Sequence, residues 1–228
     1  MTVVHQGFRF ELDPNDKSSS KLSSHTGASR FVYNFGLALV KERLAEREKL
    51  RARALDYGLS ADRAEAFART VEVPQNLYSL RREWNLAKST IAPWWSENSK
   101  EAYSSGLNGL ARALDNFSNA RSGERAGRSG FPSFKNKSAR KSCRFTTGAI
   151  KVVDDRHVQL PRIGVLRTKE PAARLRLMLD SGSARVWSAT ISELAGRWFV
   201  SFGCDVERSD RKASAPPRSS VSISESSG

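Results

Sequence analysis

The apolar pattern of this chain changes its period once, and that change sets its class. Tyr103, Leu107, Leu110, Leu114 and Phe117 recur at spacings of 4, 3, 4 and 3, one face of a regular helix. Past residue 143 the period falls to two. Trp198, Val200, Phe202 and Cys204 alternate with smaller or polar residues, as do Leu175, Leu177 and Leu179. Helices followed by short strands predict an α+β chain. One further strand stands apart at the front, where residues 3–12 alternate with Phe8, Phe10 and Leu12 on one face.

Asp13-Pro14-Asn15-Asp16 breaks that first strand, because proline lacks an N–H and Asp and Asn favour turns. The serines between Ser18 and Ser24, with Leu22 as their only large apolar neighbour, predict a loose segment. A helix is expected from Ala28 to about Tyr57, with Phe31, Phe35 and Leu39 on one stripe and Gly58 ending it. Ser60 and Asp62 open a short second helix, and a third spans about 76–91 with Leu77, Leu80, Trp84, Ala87 and Ile91 along one side. Later strands are expected at about 143–147, 150–153, 157–160, 163–167, 173–179, 185–192 and 197–205. Leu194-Ala195-Gly196 makes a hairpin turn between the last two. Strands at this spacing suggest a small barrel or sandwich. Residues 208–228 hold eight serines and no aromatic residue, the composition of a disordered tail.

Charge narrows the partner. The 228 residues carry 38 Lys and Arg against 24 Asp and Glu, a net charge of +14, which points to a polyanion. Eight of those cations fall in residues 121–144, where only one Glu and no apolar period survive. In that basic loop Phe131 and Phe134 are candidates to stack on bases. Lys135, Lys137, Arg140, Lys141 and Arg144 are candidates for phosphate. The plainer alternative is a basic linker whose phenylalanines pack on the strands. Other chemistry is poorly represented. His5, His25 and His157 lie far apart, Cys143 and Cys204 are the only cysteines, and Asp154-Asp155 reads as a turn rather than as converging metal ligands. No run approaches the ~18 apolar residues of a membrane span, and the front carries no signal-peptide pattern, so a cytoplasmic protein is expected.

Four segments then occur in order: Ala28-Ser-Arg30-Phe31-Val-Tyr33-Asn34-Phe35, Gly130-Phe131-Pro132-Ser-Phe134-Lys135, Leu160-Pro161-Arg-Ile163-Gly164, and Ile191 to Phe202. Together they resemble the N-terminal half of TnpB (OrfB), the insertion-sequence proteins known as RNA-guided DNA endonucleases and often labelled transposases. The likeness covers roughly residues 3–207. It implies a wedge-type β-barrel, split between residues 1–12 and 130–207, with a helical recognition domain inserted at 13–129. It implies guide RNA and double-stranded DNA as partners, with base pairing reading the target and side chains reading a short flanking motif. Matched residue by residue, Lys100 and Thr146 fall at DNA-motif-contacting positions. Ser104 stands where a longer polar side chain is usual, and Thr147 where a polar neighbour would be. Arg30, Tyr33 and Asn34 match family positions too, for nucleic-acid contact or for packing.

After the Trp198–Phe202 strand the resemblance implies a RuvC-like nuclease domain, which uses Mg, and a zinc ribbon. Neither is recognisable in residues 208–228, so a truncated, catalytically inactive chain with no cofactor of its own is expected. One choice of codons for Ser219–Gly228, read in another frame, spells Val-Gly-Val-Asp-Leu-Gly, the segment that begins the nuclease, which would mean a frameshifted gene. The readings left open are a nuclease-dead TnpB product, a retained DNA-binding repressor at the nucleoid, and an unrelated nucleic-acid binder.

Overall fold

The structure is a computed structural model that describes residues 2–124 and 126–208. The expected disordered tail, residue 208 aside, lies outside the described residues. Strand β1 (Thr2–Asp13) stops at Pro14, and Asn15 begins the next element in an extended conformation with its side chain accepting from the Ser18 N–H. Helix α1 (Asp16–Asp56) then runs for 41 residues, about 60 Å at the usual rise.

The serine segment is therefore helical, not loose. Its serines are poor helix formers, but the segment has a good cap and tertiary anchors. Leu22 is fully buried, Thr26 back-bonds to the Leu22 carbonyl, and His25 reaches across to the start of a later helix. Packing overrides weak propensity here. Helix α1 ends at Tyr57, with Gly58 at φ +80° turning the chain.

Helices α2 (Ala61–Ala68), α3 (Leu77–Ile91) and α4 (Lys100–Ser122) follow, the last after a short 3-10 turn at Trp95–Glu97. Trp84 of α3 stacks on Tyr103 of α4 with centroids 4.8 Å apart, and Phe31 and Phe35 of α1 meet the same indole edge-on. Helix α4 lies close against α1, with Gly106 directly opposite the Ser29 carbonyl.

Strands β2 (Ser142–Phe145), β3 (Lys151–Asp154), β4 (His157–Leu160), β5 (Gly164–Thr168), β6 (Ala184–Leu194) and β7 (Arg197–Arg208) complete the sheet. All pairings are antiparallel, in the order β2-β6-β7-β1-β5-β4-β3. Strand β1 is central, paired with β7 from Thr2↔Arg208 to Glu11↔Phe199 and with β5 at Leu12↔Thr168.

Two expectations fail. The sheet is open, not a closed barrel. Closure would need the outer strands β2 and β3 to pair, and the free edge of β2 is occupied by α4. The Arg144 N–H donates to Ser105 Oγ and the Thr146 N–H to the Glu101 carboxylate, so helix side chains take the place of another strand. The expected strand at 173–179 is also wrong. Residues Ala173–Asp180 form helix α5, burying Leu175 while Leu177 stays exposed. Arg, Leu, Met and Ala all favour helix, and Arg176 pairs with Asp180 one turn on.

The buried faces of sheet and helices share one core. Phe10, Phe145, Ile191, Val200 and Phe202 fill the sheet side, and Leu22, Leu37, Leu80, Leu107 and Leu110 the helical side. His25 joins the two, with its ring 6.0 Å from that of Phe145. Asp154 and Asp155 behave as the turn they were read to be: Asp154 accepts from the Arg156 N–H and faces His157, and Asp155 pairs with Arg176.

Candidate nucleic-acid interface

Most of the expected contact residues fall into two neighbouring clusters, with Arg144 apart on β2 beside Trp187. The first is a cleft between the front of α1 and the basic loop, about 370 Å³ in volume. Arg30, Lys135, Lys137, Arg140 and Lys141 line it, with Ser23, Thr26, Ser29 and Ser142 supplying hydroxyls. Most of the loop in front of β2 has no regular structure, so it needs outside support to hold this shape. Asn34 supplies some: its amide donates to the Lys135 carbonyl and its Oδ1 accepts the Lys135 N–H, at 2.9 and 2.8 Å. Arg30 donates to the carbonyls of Asn136 and Lys137. The Lys135 ammonium sits 4.0 Å from the Tyr33 ring centre, and burial holds its pKa below the usual lysine value.

Arg30, Tyr33 and Asn34 thus present the loop's cations. Lys137 and Arg140 have no carboxylate partner among the described residues, whereas Lys141 is paired with Glu193. The two phenylalanines differ: Phe131 packs edge-on against Phe117 of α4, while Phe134 stays half exposed beside Lys41.

The second cluster is the N-terminus of α4. Ser99 caps the helix by accepting from the Glu101 N–H. Lys100 is exposed in the first turn, and Ser104 lies one turn further on beside Trp95, Lys88 and Asn85. Glu101, between them in sequence, points inward and is nearly buried. It accepts from the Thr146 hydroxyl at 2.6 Å, from the Thr146 N–H at 2.9 Å and from the Thr147 side chain. Burial alone would raise this carboxyl; the threonine hydrogen bonds and the Lys100 charge outweigh it and hold it below the usual carboxylate range. Thr146 is thereby held at the N-terminus of α4, whose first residue, Lys100, lies 46 positions away in sequence.

Two supporting residues had not been singled out for a role. Glu101 looks in the sequence like an ordinary acidic residue of a first helical turn, and nothing in its spacing marks it. His25 lies far from the other histidines in sequence, and nothing there marks a role for it. It is buried, donates from Nδ1 to the Lys21 carbonyl and accepts the Ser99 N–H at Nε2, tying α1 to the cap of α4. Burial lowers its pKa, in keeping with a neutral ring that accepts at one nitrogen.

Residues 1–49 match the helix-turn-helix domain of the OrfB_IS605 family. Over 96% of its length the chain is 34% identical to two Mycobacterium tuberculosis proteins named as candidate RNA-guided DNA endonucleases, Rv2885c of strain H37Rv and MT2953 of strain CDC 1551. By these matches the chain is TnpB (OrfB)-like. Escherichia coli InsQ, named in the same way, is 24% identical over 89% of the chain. The chain spans about half the length of these relatives: the matches cover 46% of each mycobacterial protein and 41% of InsQ. Within residues 2–49 the described structure is a strand and one unbroken helix, so the family's domain name does not describe two helices joined by a turn in this chain. Among the described residues, no helix is long and apolar enough to cross a membrane.

Proposed function

We propose that this chain is the nucleic-acid-binding portion of a TnpB-type RNA-guided DNA endonuclease. On this reading the helices form the recognition domain and the sheet the wedge. The basic cleft holds guide RNA along its backbone, and the α4 N-terminus reads the duplex motif beside the target. The observation that carries it is the Thr146–Glu101 contact at the α4 N-terminus, where Lys100 is exposed, together with a cleft lined by five cations. We assign no catalytic group and no metal to the described residues. The Mg and Zn chemistry of the family belongs, on this reading, to the nuclease domain and zinc ribbon of full-length members, and the protein acts at the nucleoid.

The hydrogen-bond polarity sharpens the proposal. Glu101 is ionised near neutral pH and only accepts, so the Thr146 hydroxyl donates its proton to it. Toward DNA, Thr146 Oγ1 then offers lone pairs only, and it suits an adenine N6 or cytosine N4 donor in the major groove. Lys100 is a donor only and suits guanine O6/N7, adenine N7 or thymine O4.

The test is binding to duplexes with randomised target-adjacent bases, with the protein loaded with RNA transcribed from its own locus. Wild type should enrich one short motif. Lys100→Ala and Thr146→Ala should each relax preference at one position, by about 1–3 kcal/mol of discrimination. Unchanged motif preference in both variants would refute the assignment.

A further inference from the structure

The face of the sheet turned away from the core carries a second arrangement that the two clusters above do not use. Along β2, β6, β7 and β1 the register sets Arg144 opposite Thr190, Thr190 opposite Ser201, and Ser201 opposite Arg9. Adjacent strands lie about 4.8 Å apart, so this row of two guanidinium groups flanking two hydroxyls spans roughly 14 Å. Neither Arg144 nor Arg9 has a carboxylate partner among the described residues. Each is instead stacked on an aromatic ring, Arg144 on Trp187 at 4.8 Å and Arg9 on Phe199 at 4.0 Å.

Two carboxylates of that face are already engaged, Glu11 by Lys169 and Arg197 and Asp205 by His5. Trp187 owes its place to a break in the β6–β7 register between Val186 and Ser188, which adds one residue to β6. Its indole rests on Gly203, where a Cβ would come within 2.8 Å of Trp187 Cζ2, and the side chain stays 43% exposed. A large aromatic residue kept at the surface by a bulge, over a glycine and beside an unpaired arginine, is costly unless something covers it.

We propose that this face binds an unpaired nucleic-acid strand, with a base joining the Trp187–Arg144 stack and phosphates meeting Arg9 and Arg144. Aromatic rings and guanidinium planes both accept bases that a duplex keeps hidden. The hydroxyls of Thr190 and Ser201 form a floor that hydrogen-bonds sugar or phosphate without selecting sequence. The occupant is committed by charge and by the stack: a duplex offers no free base face, and an acidic peptide offers no flat ring for the indole. The proposal rests on the nucleic-acid-binding function above and names the strand state that this particular surface takes.

The experiment is fluorescence anisotropy with a labelled uridine 20-mer and a labelled duplex of equal length, using Trp187→Ala, Trp187→Phe and Arg9→Gln. Wild type should bind both probes. Trp187→Ala should lose at least about fivefold on the single strand and hold its duplex affinity, and Trp187→Phe should keep most of the single-strand affinity. Arg9→Gln should reduce the salt slope on the single strand by about 0.7, which Trp187→Ala, removing no charge, should not. Single-strand binding by Trp187→Ala equal to wild type would overturn the proposal and leave the proposed function standing. Weakening on both probes, with circular dichroism unchanged, would also overturn it. Absence of wild-type binding to either probe would overturn both.

Discussion

The close approach of α4 to α1 makes one substitution unusually informative. A Cβ placed on Gly106 would sit 2.1 Å from the Ser29 carbonyl oxygen and 2.5 Å from Val32 Cγ1. The Ser29 oxygen is main chain in the middle of α1, so it cannot rotate aside. The helices would have to part by more than about 1 Å before Ala fitted, loosening the contacts of Val32, Leu107 and Leu110, all fully buried. Against that stands the propensity gain of Ala over Gly inside a helix, about 1 kcal/mol. Overpacking typically costs about 1–3 kcal/mol, and more where backbone must move. Gly106→Ala should therefore destabilise by about 2 kcal/mol net, a fall in Tm of roughly 4–8 °C for a chain of this size.

Gly109, three residues on, is the internal control. Its nearest neighbour would be Tyr33 Cδ2 at 3.9 Å, an ordinary contact. Gly109→Ala keeps the propensity gain without the clash and should stabilise by about 0.5–1 kcal/mol. Urea and thermal unfolding followed by circular dichroism measure both. If the two variants move in the same direction by the same amount, the close helix contact at Gly106 is not there.

Two further outcomes are expected. His25 is neutral in the folded protein and its pKa is depressed by burial, so the unfolded chain binds the proton more readily. The stability it supports is complete above about pH 6.5 and falls as the pH drops below that toward the lower native value. Urea midpoints at about pH 7.5 and 5.5 should therefore differ more for wild type than for His25→Gln, and equal differences would count against a buried neutral ring. Asn34→Ala removes both of its hydrogen bonds to Lys135, about 1 kcal/mol each at most, and should speed amide exchange across residues 133–137 while leaving α4 protected; unchanged exchange there would show that the loop holds its own shape.

The sequence made legible those parts of the fold whose pattern and packing agree. Helix α4 begins at its serine cap and buries Tyr103, Leu107, Leu110 and Leu114 of its apolar stripe, with Phe117 half-buried, and six of the seven later strands lie within a few residues of their expected places. The misses share a cause: a local signal that was real but outweighed. Ser18–Ser24 reads as loose by composition, yet the Asn15 cap and the burial of Leu22 hold it helical. Leu175, Leu177 and Leu179 alternate like a strand, but the core takes Leu175, Met178 and Leu179 at helical spacing and leaves Leu177 exposed, so helical packing outweighs the alternation. The open sheet was unreadable because it depends on Ser105 and Glu101 of α4 occupying the β2 edge, a contact between residues some 40 positions apart. In the candidate interface the cations were visible as composition. What was not visible is that Asn34 and Arg30 hold the loop's backbone while Glu101 fixes Thr146.

The pairing of β1 with β7 also sets an order of events during synthesis. The first strand made lies at the centre of the sheet, yet its longest partner is the last described element, at Arg197–Arg208. At about 5–20 residues per second, β1 waits roughly 10–40 s for that partner to be made. The helical segment needs no such wait, because α1, α3 and α4 complete their mutual contacts by Ser122. Until β5 is made β1 has no strand partner. Strand β5 then pairs only with Leu12 and Asp13, so Phe8 and Phe10 wait for β7 on the kind of edge that aggregates or recruits a chaperone. A chain arrested before β7 would therefore carry a sticky, largely unmatched strand.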